Sequence, residues 1–301
     1  MGLRSQETVA VSGESAARGR SPPPDGFLPA AFYQLVMEPT TADRDLFPAP
    51  RSKVFQDQGK FRTRFNFPGR NLPDHDDHGY GPLSTVVESF MDPGTLIRMH
   101  QHRDEEIVSW VPAGVMRHDD REGNELVTDP EHLLVMNAGA GFWHAEETLA
   151  DDPPLRMLQI FVRPREFGLE PGIQHGPLPD PEPNEWRRVF APAGSDHPFT
   201  VRNAVDCFDA RLDADASAML PEIEGRDAYV YVFEGSAGVG GDPAADADES
   251  TEGVALDKTE SVVWTGGGAP PTVTAGEEGA TVVAFLIDPD APVTRQGTIG
   301  R

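Results

Sequence analysis

Short apolar runs alternate with turn-forming residues along this chain, and no long segment repeats at helical spacing. Ser84 to Phe90, Glu106 to Val111, Leu133 to Met136 and Leu155 to Val162 read as strands, separated by turns such as Asp92-Pro93-Gly94 and Glu122-Gly123-Asn124. The pattern resumes with Thr200 to Val205, Asp227 to Glu234, Ser261 to Thr265 and Thr281 to Ile287. Many short strands without crossover helices predict an all-β fold, an antiparallel sandwich or barrel with few short helices.

Breaks in the pattern divide the chain. Residues 1–28, rich in Ser, Gly, Arg and Pro, carry no apolar period and are expected to be a disordered tail. A first β domain is expected over 29–172. Alternating Pro177, Pro179, Pro181 and Pro183 predict a stiff, extended linker over 173–186. A second β domain is expected over 187–290, with a tail over 291–301. The acidic, Gly- and Ala-rich stretch between Gly240 and Gly253 predicts a solvated hairpin loop. Val108-Ser109-Trp110-Val111-Pro112-Ala113-Gly114 is echoed by Tyr229-Val230-Tyr231-Val232-Phe233-Glu234-Gly235, so the halves read as a diverged duplication.

Composition narrows the function. Among 301 residues, 50 acidic against 25 basic side chains give a net charge of −25, the wrong sign for gripping phosphates, so direct nucleic-acid binding is not expected. Only Lys53, Lys60 and Lys258 represent lysine, and the acidic residues are spread throughout, as in proteins of salt-loving organisms. The single cysteine, Cys207, lies beside Val205 and Phe208, where a packed thiol is expected and no intrachain disulfide is available. No apolar stretch approaches the length of a membrane span, and the reading is of a cytoplasmic monomer or weak oligomer.

The chemistry concentrates in two runs, Arg98-Met99-His100-Gln101-His102 and Gly141-Phe142-Trp143-His144-Ala145-Glu146. Each places two donors at i and i+2, which an extended strand points to one face. Two such strands side by side predict a mononuclear metal site made by His100, His102, His144 and Glu146. Three nitrogens and one oxygen without a thiolate suit Fe(II), Mn, Ni, Co, Cu or Zn. Four ligands on a six-coordinate ion leave two positions for chemistry.

The text around these runs resembles the pirin family of the cupin superfamily. Gly94, His100, His102 and Glu106 follow the first cupin motif and Gly141-Phe142-Trp143-His144 the second. Gly79-Tyr80-Gly81-Pro82-Leu83, His118-Asp119-Asp120-Arg121-Glu122-Gly123-Asn124 and Ala138-Gly139-Ala140-Gly141-Phe142-Trp143-His144-Ala145-Glu146 are closer to pirins than to cupins at large. The resemblance is dense over about residues 75 to 175. It implies a bicupin, two β-barrels in tandem, with one divalent metal, usually Fe(II), held by three His and one Glu in the first barrel. Pro130-Glu131-His132 stands where pirins carry Pro-Gly-Asp. The second half has Met219-Leu220-Pro221-Glu222 where its own HxH would fall, and is expected to be metal-free.

Neighbouring residues are expected to be quieter. Glu106 reads as a residue behind the ligands or paired with Arg103, His118 as a turn-stabilising polar residue, His132 as a surface residue, and His75 and His78 as part of a solvated acidic loop. Of Met99, Trp110, Phe142, Trp143 and Phe161, most are expected in the core and a few around a pocket for a planar ligand. Three functions compete: a dioxygenase of the quercetin 2,3-dioxygenase type acting on flavonol-like enolic aromatics, with Glu146 as ligand or base; a redox-dependent regulatory protein that binds a protein partner; and a cupin with a structural ion.

Overall fold

The computed structural model describes residues 45–49, 54–240, 253–266 and 269–295. The expected tail over 1–28 lies outside the described residues, as does most of the Gly240 to Gly253 loop. In chain order the strands are β1 (Asp45–Ala49), β2 (Val54–Asp57), β3 (Phe61–Asn66), β4 (Leu83–Met91), β5 (Leu96–His102), β6 (Glu106–Ala113), β7 (Met116–Asp120), β8 (Glu125–Thr128), β9 (His132–Asn137) and β10 (Phe142–Glu147). They continue with β11 (Leu155–Val162), β12 (Gly172–Pro177), β13 (Trp186–Pro192), β14 (Thr200–Val201), β15 (Val205–Leu212), β16 (Ser217–Met219), β17 (Asp227–Gly240), β18 (Val254–Asp257), β19 (Ser261–Thr265) and β20 (Thr272–Ile287). A 3-10 turn at Pro68–Asn71 is the one helical element among the described residues, so the fold is all-β as the apolar pattern predicts.

The first half builds two sheets. One has the order β12-β9-β6-β11-β4-β3-β2, the other β5-β10-β7-β8. The second half builds a sheet along the path β1-β19-β17-β20-β15-β13-β14, with β16 pairing to β20 and β18 to β17 off that path. Strand alternation explains how three cores arise from this. In β11, Met157 and Phe161 join Met91, Ile107 and Met136 in the first half's interior, while Leu158, Ile160 and Val162 face the other way. In β17, Ala228, Val230 and Val232 line the second half's interior, while Tyr229, Tyr231 and Phe233 face outward from it. The two outward faces meet, and form a single apolar cluster with Trp110, Phe190, Cys207 and Phe285. These strands therefore read as continuous apolar runs because both faces are covered.

Polar bonds stitch the same seam. Trp110 Nε1 donates to Asp209 Oδ2 at 3.1 Å, and Tyr231 donates its hydroxyl at 2.9 Å to Glu88, which is also held by Arg64 and Arg156. Each buried carboxylate has its donors, which offsets the cost of removing it from water.

The duplication shows in the topology. β6 runs between β9 and β11 as β17 runs between β19 and β20; Gly114 follows β6 with φ 91°, and Gly235 sits within β17 at a register shift with φ 75°. A Cβ on Gly114 would lie 2.6 Å from Leu155 Cα, and one on Gly235 would lie 2.0 Å from Gly279 O. Both halves thus need glycine where the backbone at the central strand passes close to its ladder neighbour, β11 in the first half and β20 in the second.

Three segments depart from the expected partition. β1 pairs with β19, so this early strand completes the second half's sheet and not the first. Gly172–Pro177 pair residue for residue with β9, so the extended stretch starts after Pro177 and not at 173; an edge strand tolerates the terminal proline. The expected strand Thr200 to Val205 is interrupted, because Arg202 and Asn203 leave the ladder to bond the first half, the Arg202 amide to Glu106 and Asn203 Nδ2 to Arg163 O. Residues near the C-terminal end also return to the first half, where the Thr294 amide donates to Pro164 O.

Candidate metal centre

β5 and β10 lie side by side in the four-stranded sheet, with His144 directly opposite His100 and Phe142 opposite His102. The i and i+2 spacing turns His100 and His102 to the inner face, where the three rings meet with centroids 4.5 to 5.0 Å apart. One donor atom from each of His100, His102 and His144 lies within 4.8 Å of the others.

Each ring is oriented through its Nδ1. His100 Nδ1 donates to Arg98 O at 2.8 Å, and His102 Nδ1 lies 2.5 Å from Glu105 Oε1. His144 Nδ1 lies 3.3 Å from His118 Nδ1. These contacts assign Nε2 as the lone-pair nitrogen aimed inward. His144 Nε2 is buried without a hydrogen-bond partner, an arrangement that costs stability unless a ligand takes the lone pair. Burial, assisted by the neighbouring imidazoles, pushes the His144 pKa down to about 2, and burial also lowers that of His100. Neutral imidazoles are the form that binds a metal. The residues present therefore fit a divalent ion.

Glu146 lies beside His144 but outside the group of donors that fall within 4.8 Å of one another. Its Oε1 is 4.0 Å from His144 Nδ1, and Gln159 Nε2 donates to both its oxygens at 2.9 and 3.0 Å. Burial raises its pKa, opposed by His102 and by the Gln159 bond. His100, His102 and Glu146 open into a cavity of about 150 Å³, walled by Phe61, Phe65, Ile97, Ile107 and Phe161, with Gln56 and Thr63 among its polar lining. Of the aromatic residues expected near the ligands only Phe161 lines this cavity. Trp143 turns outward under the Arg121 guanidinium, 3.8 Å from its ring centroid, and Trp110 sits in the core between the halves. Phe61 and Phe65 were not legible as site residues, since each arrives from a strand remote in sequence, and Gln159 is brought in by β11, the strand that follows β10.

Several neighbouring residues depart from expectation. Glu105, not Glu106, backs His102; Glu106 turns to the other face, where Asn137 Nδ2 and the Arg202 amide hold it, while Arg103 Nε donates to Ala140 O. His118, expected as a turn-stabilising polar residue, is buried and bonded to Asp120, which itself holds the turn amides. His132, expected at the surface, is partly exposed, bonds Asp129 Oδ1 at 2.8 Å and stacks on His175. In the acidic loop Asp74, His75 and Asp76 are exposed as expected, whereas Asp77 and His78 are half-buried, with Asp77 paired to Arg163. Cys207 is a buried thiol, as its neighbourhood predicts.

A mononuclear histidine cluster on one half of a duplicated all-β fold defines a metal-binding cupin-like protein. The Pirin family model matches residues 52–162. A Mycobacterium tuberculosis relative, named provisionally as a quercetin 2,3-dioxygenase, is 32% identical over 165 residues, covering 54% of this chain and 67% of the relative. The Escherichia coli K12 quercetin 2,3-dioxygenase is 23% identical over 178 residues, covering 59% of this chain and 76% of that one. The chain belongs to the pirin family. In fold it is similar to the bacterial pirin YhhW of Escherichia coli, solved in complex with nickel(II), with a TM-score of 0.65 at 18% identity over 81% of this chain and 99% of that one. It is likewise similar to a quercetin 2,3-dioxygenase of Acinetobacter baumannii, with a TM-score of 0.65 at 18% identity over 82% and 87% of the two chains. Among the described residues no helix is long and apolar enough to cross a membrane.

Proposed function

We propose that this pirin is a metal-dependent dioxygenase acting on a flavonol-like enolic aromatic, with His100, His102, His144 and Glu146 as its metal site and Fe(II) as its resident ion. The observation that carries this reading is the convergence of three imidazoles, two of which, His100 and His102, line one apolar cavity with the buried Glu146 carboxylate. The names of the mycobacterial and enterobacterial relatives support the substrate class. When bound, the ion supplies a Lewis acid that stabilises the ionised enol and aligns it with dioxygen.

The chain's own residues do the rest. Phe61, Phe65 and Phe161 supply the apolar wall against which an aromatic ring packs. Glu146, its basicity raised by burial, takes the proton of the substrate hydroxyl onto a carboxylate oxygen, while Gln159 holds that carboxylate in place. Both atoms of dioxygen end in the organic product, so no external reductant is required.

The test is elemental analysis of the protein purified in high salt, followed by oxygen consumption with quercetin. Stoichiometric metal and turnover that depends on it are expected. Glu146→Gln is expected to lower turnover more than metal content. A fully loaded protein that consumes no oxygen, yet changes its affinity for a protein partner between ferrous and ferric forms, would replace the enzyme reading by the regulatory one.

A further inference from the structure

His144 is the central ligand of the cluster in one physical sense: its strand, β10, is flanked by β5 on one side and β7 on the other. β7 places Asp120 opposite His144 and His118 opposite Glu146. Both side chains are buried. His118 Nδ1 lies 3.3 Å from His144 Nδ1, and His118 Nε2 lies 3.1 Å from Asp120 Oδ2.

The protons in this row follow from what each atom can do. Asp120 accepts the Glu122 and Asn124 amides on Oδ1, each at 2.9 Å, and the Asn124 side-chain amide on Oδ2 at 2.9 Å. A carboxylate with that many donors is held ionised and can only accept, so His118 donates to it from Nε2. A neutral His118 then has a bare Nδ1, which is an acceptor. Two facing ring nitrogens need one proton between them, so His144 donates from Nδ1. Its Nε2 is left as a lone pair, and that is the buried atom without a hydrogen-bond partner.

We propose that His118 and Asp120 are positioning residues for the metal site, a buried relay that fixes the ring orientation and tautomer of His144 and strengthens its Nε2 as a donor. This rests on the reading of His144 as a metal ligand. The three ligands are thereby backed in three different ways: His100 by a backbone carbonyl, His102 by the Glu105 carboxylate, and His144 by a carboxylate acting through a second imidazole. The run His118-Asp119-Asp120-Arg121-Glu122-Gly123-Asn124 acquires a single purpose. The turn between β7 and β8 holds Asp120, Asp120 holds His118, and His118 holds His144. Partners of this kind are worth about 10- to 100-fold in metal affinity.

Two measurements on the full chain test it. In the metal-free wild type, imidazole ¹⁵N shifts are expected to show His144 protonated at Nδ1 and bare at Nε2. Zinc affinity is then measured by competition with a chromophoric chelator in wild type, His118→Phe and His118→Asn, with circular dichroism confirming the fold of each. The phenylalanine removes the acceptor and is expected to weaken zinc binding about 10- to 100-fold. The asparagine places an amide oxygen near the lost Nδ1 and is expected to recover part of the loss. Equal zinc affinity in wild type and His118→Phe overturns the positioning role while leaving the metal site standing. A wild-type His144 protonated at Nε2 overturns the relay whatever the variants do. Failure of the wild type to take up zinc with the Nδ1–H tautomer in place overturns the metal reading, and the positioning role falls with it.

Discussion

The two halves of the molecule share a strand order around their central strands and differ in what those strands enclose. The first half encloses Met91, Ile107, Met136 and Phe161 together with three histidines and a glutamate. The second encloses Ala210, Val230, Leu256, Trp264, Val282 and Ala284. Where its HxH was sought, Met219 is exposed and Leu220 is packed into that apolar cluster. Histidines inside a sandwich must be oriented, kept neutral and backed by acceptors, which here takes Arg98 O, Glu105, His118, Asp120 and Gln159. Among the described residues the second half carries none of that apparatus. It supplies instead the apolar face on which the first half's long sheet is packed.

This division of labour can be broken from either side. The largest effect is expected at the ligands: His100→Ala should lose metal by more than about 100-fold and with it any oxygen consumption with quercetin, while the melting temperature of the metal-free protein stays close to wild type. Normal turnover by that variant would refute the assignment. The converse change is Phe285→Ala in the core between the halves, expected to cost about 3–5 kcal/mol by urea unfolding because it opens a cavity on both sides of the seam. Metal content per folded molecule should be unchanged, and a parallel loss of metal would mean that the second half shapes the site.

A third prediction concerns the seam itself. Burial raises the Glu106 pKa to about 7, against the donors Asn137 and Arg202, whereas the unfolded chain titrates near 4.5. The folded state therefore binds the proton more tightly, so the stabilisation is full below the unfolded value and is lost as pH rises through about 7. Stability should fall by about 3 kcal/mol between those limits, and Glu106→Gln should flatten the profile. A profile that Glu106→Gln leaves untouched would count against it. The smallest effect is expected from salt. Screening the net charge of −25 between about 0.1 M and about 1 M salt should raise the melting temperature by roughly 3 °C or more, and a salt-independent value would remove the case for a salt-adapted surface.

Much of the fold was legible because alternation is local. β6, β11, β17 and β20 are written as apolar runs, and the echo between Val108 to Gly114 and Tyr229 to Gly235 marks the two central strands with their glycines. The ligand pair His100 and His102 was legible for the same reason, since i and i+2 on a strand share a face. Glu106 misled because the cupin motif places a glutamate there, whereas the parity of β6 turns it to the seam and leaves the position before the strand, Glu105, to meet His102. β1 misled because a strand's sheet is not encoded in its own alternation; pairing with β19 joins residues far apart in the chain.

By itself the sequence determined the strand periods, the glycine turns, the two histidine runs and the excess of acid, all properties of a residue and its near neighbours. The tertiary structure alone decided which faces meet, that Phe61 and Phe65 wall the cavity, and that His118 stands behind His144. The reason is register. A contact across two strands depends on how β7 slides against β10, and that is set by the whole sheet's burial and turns, not by the residues that come to touch.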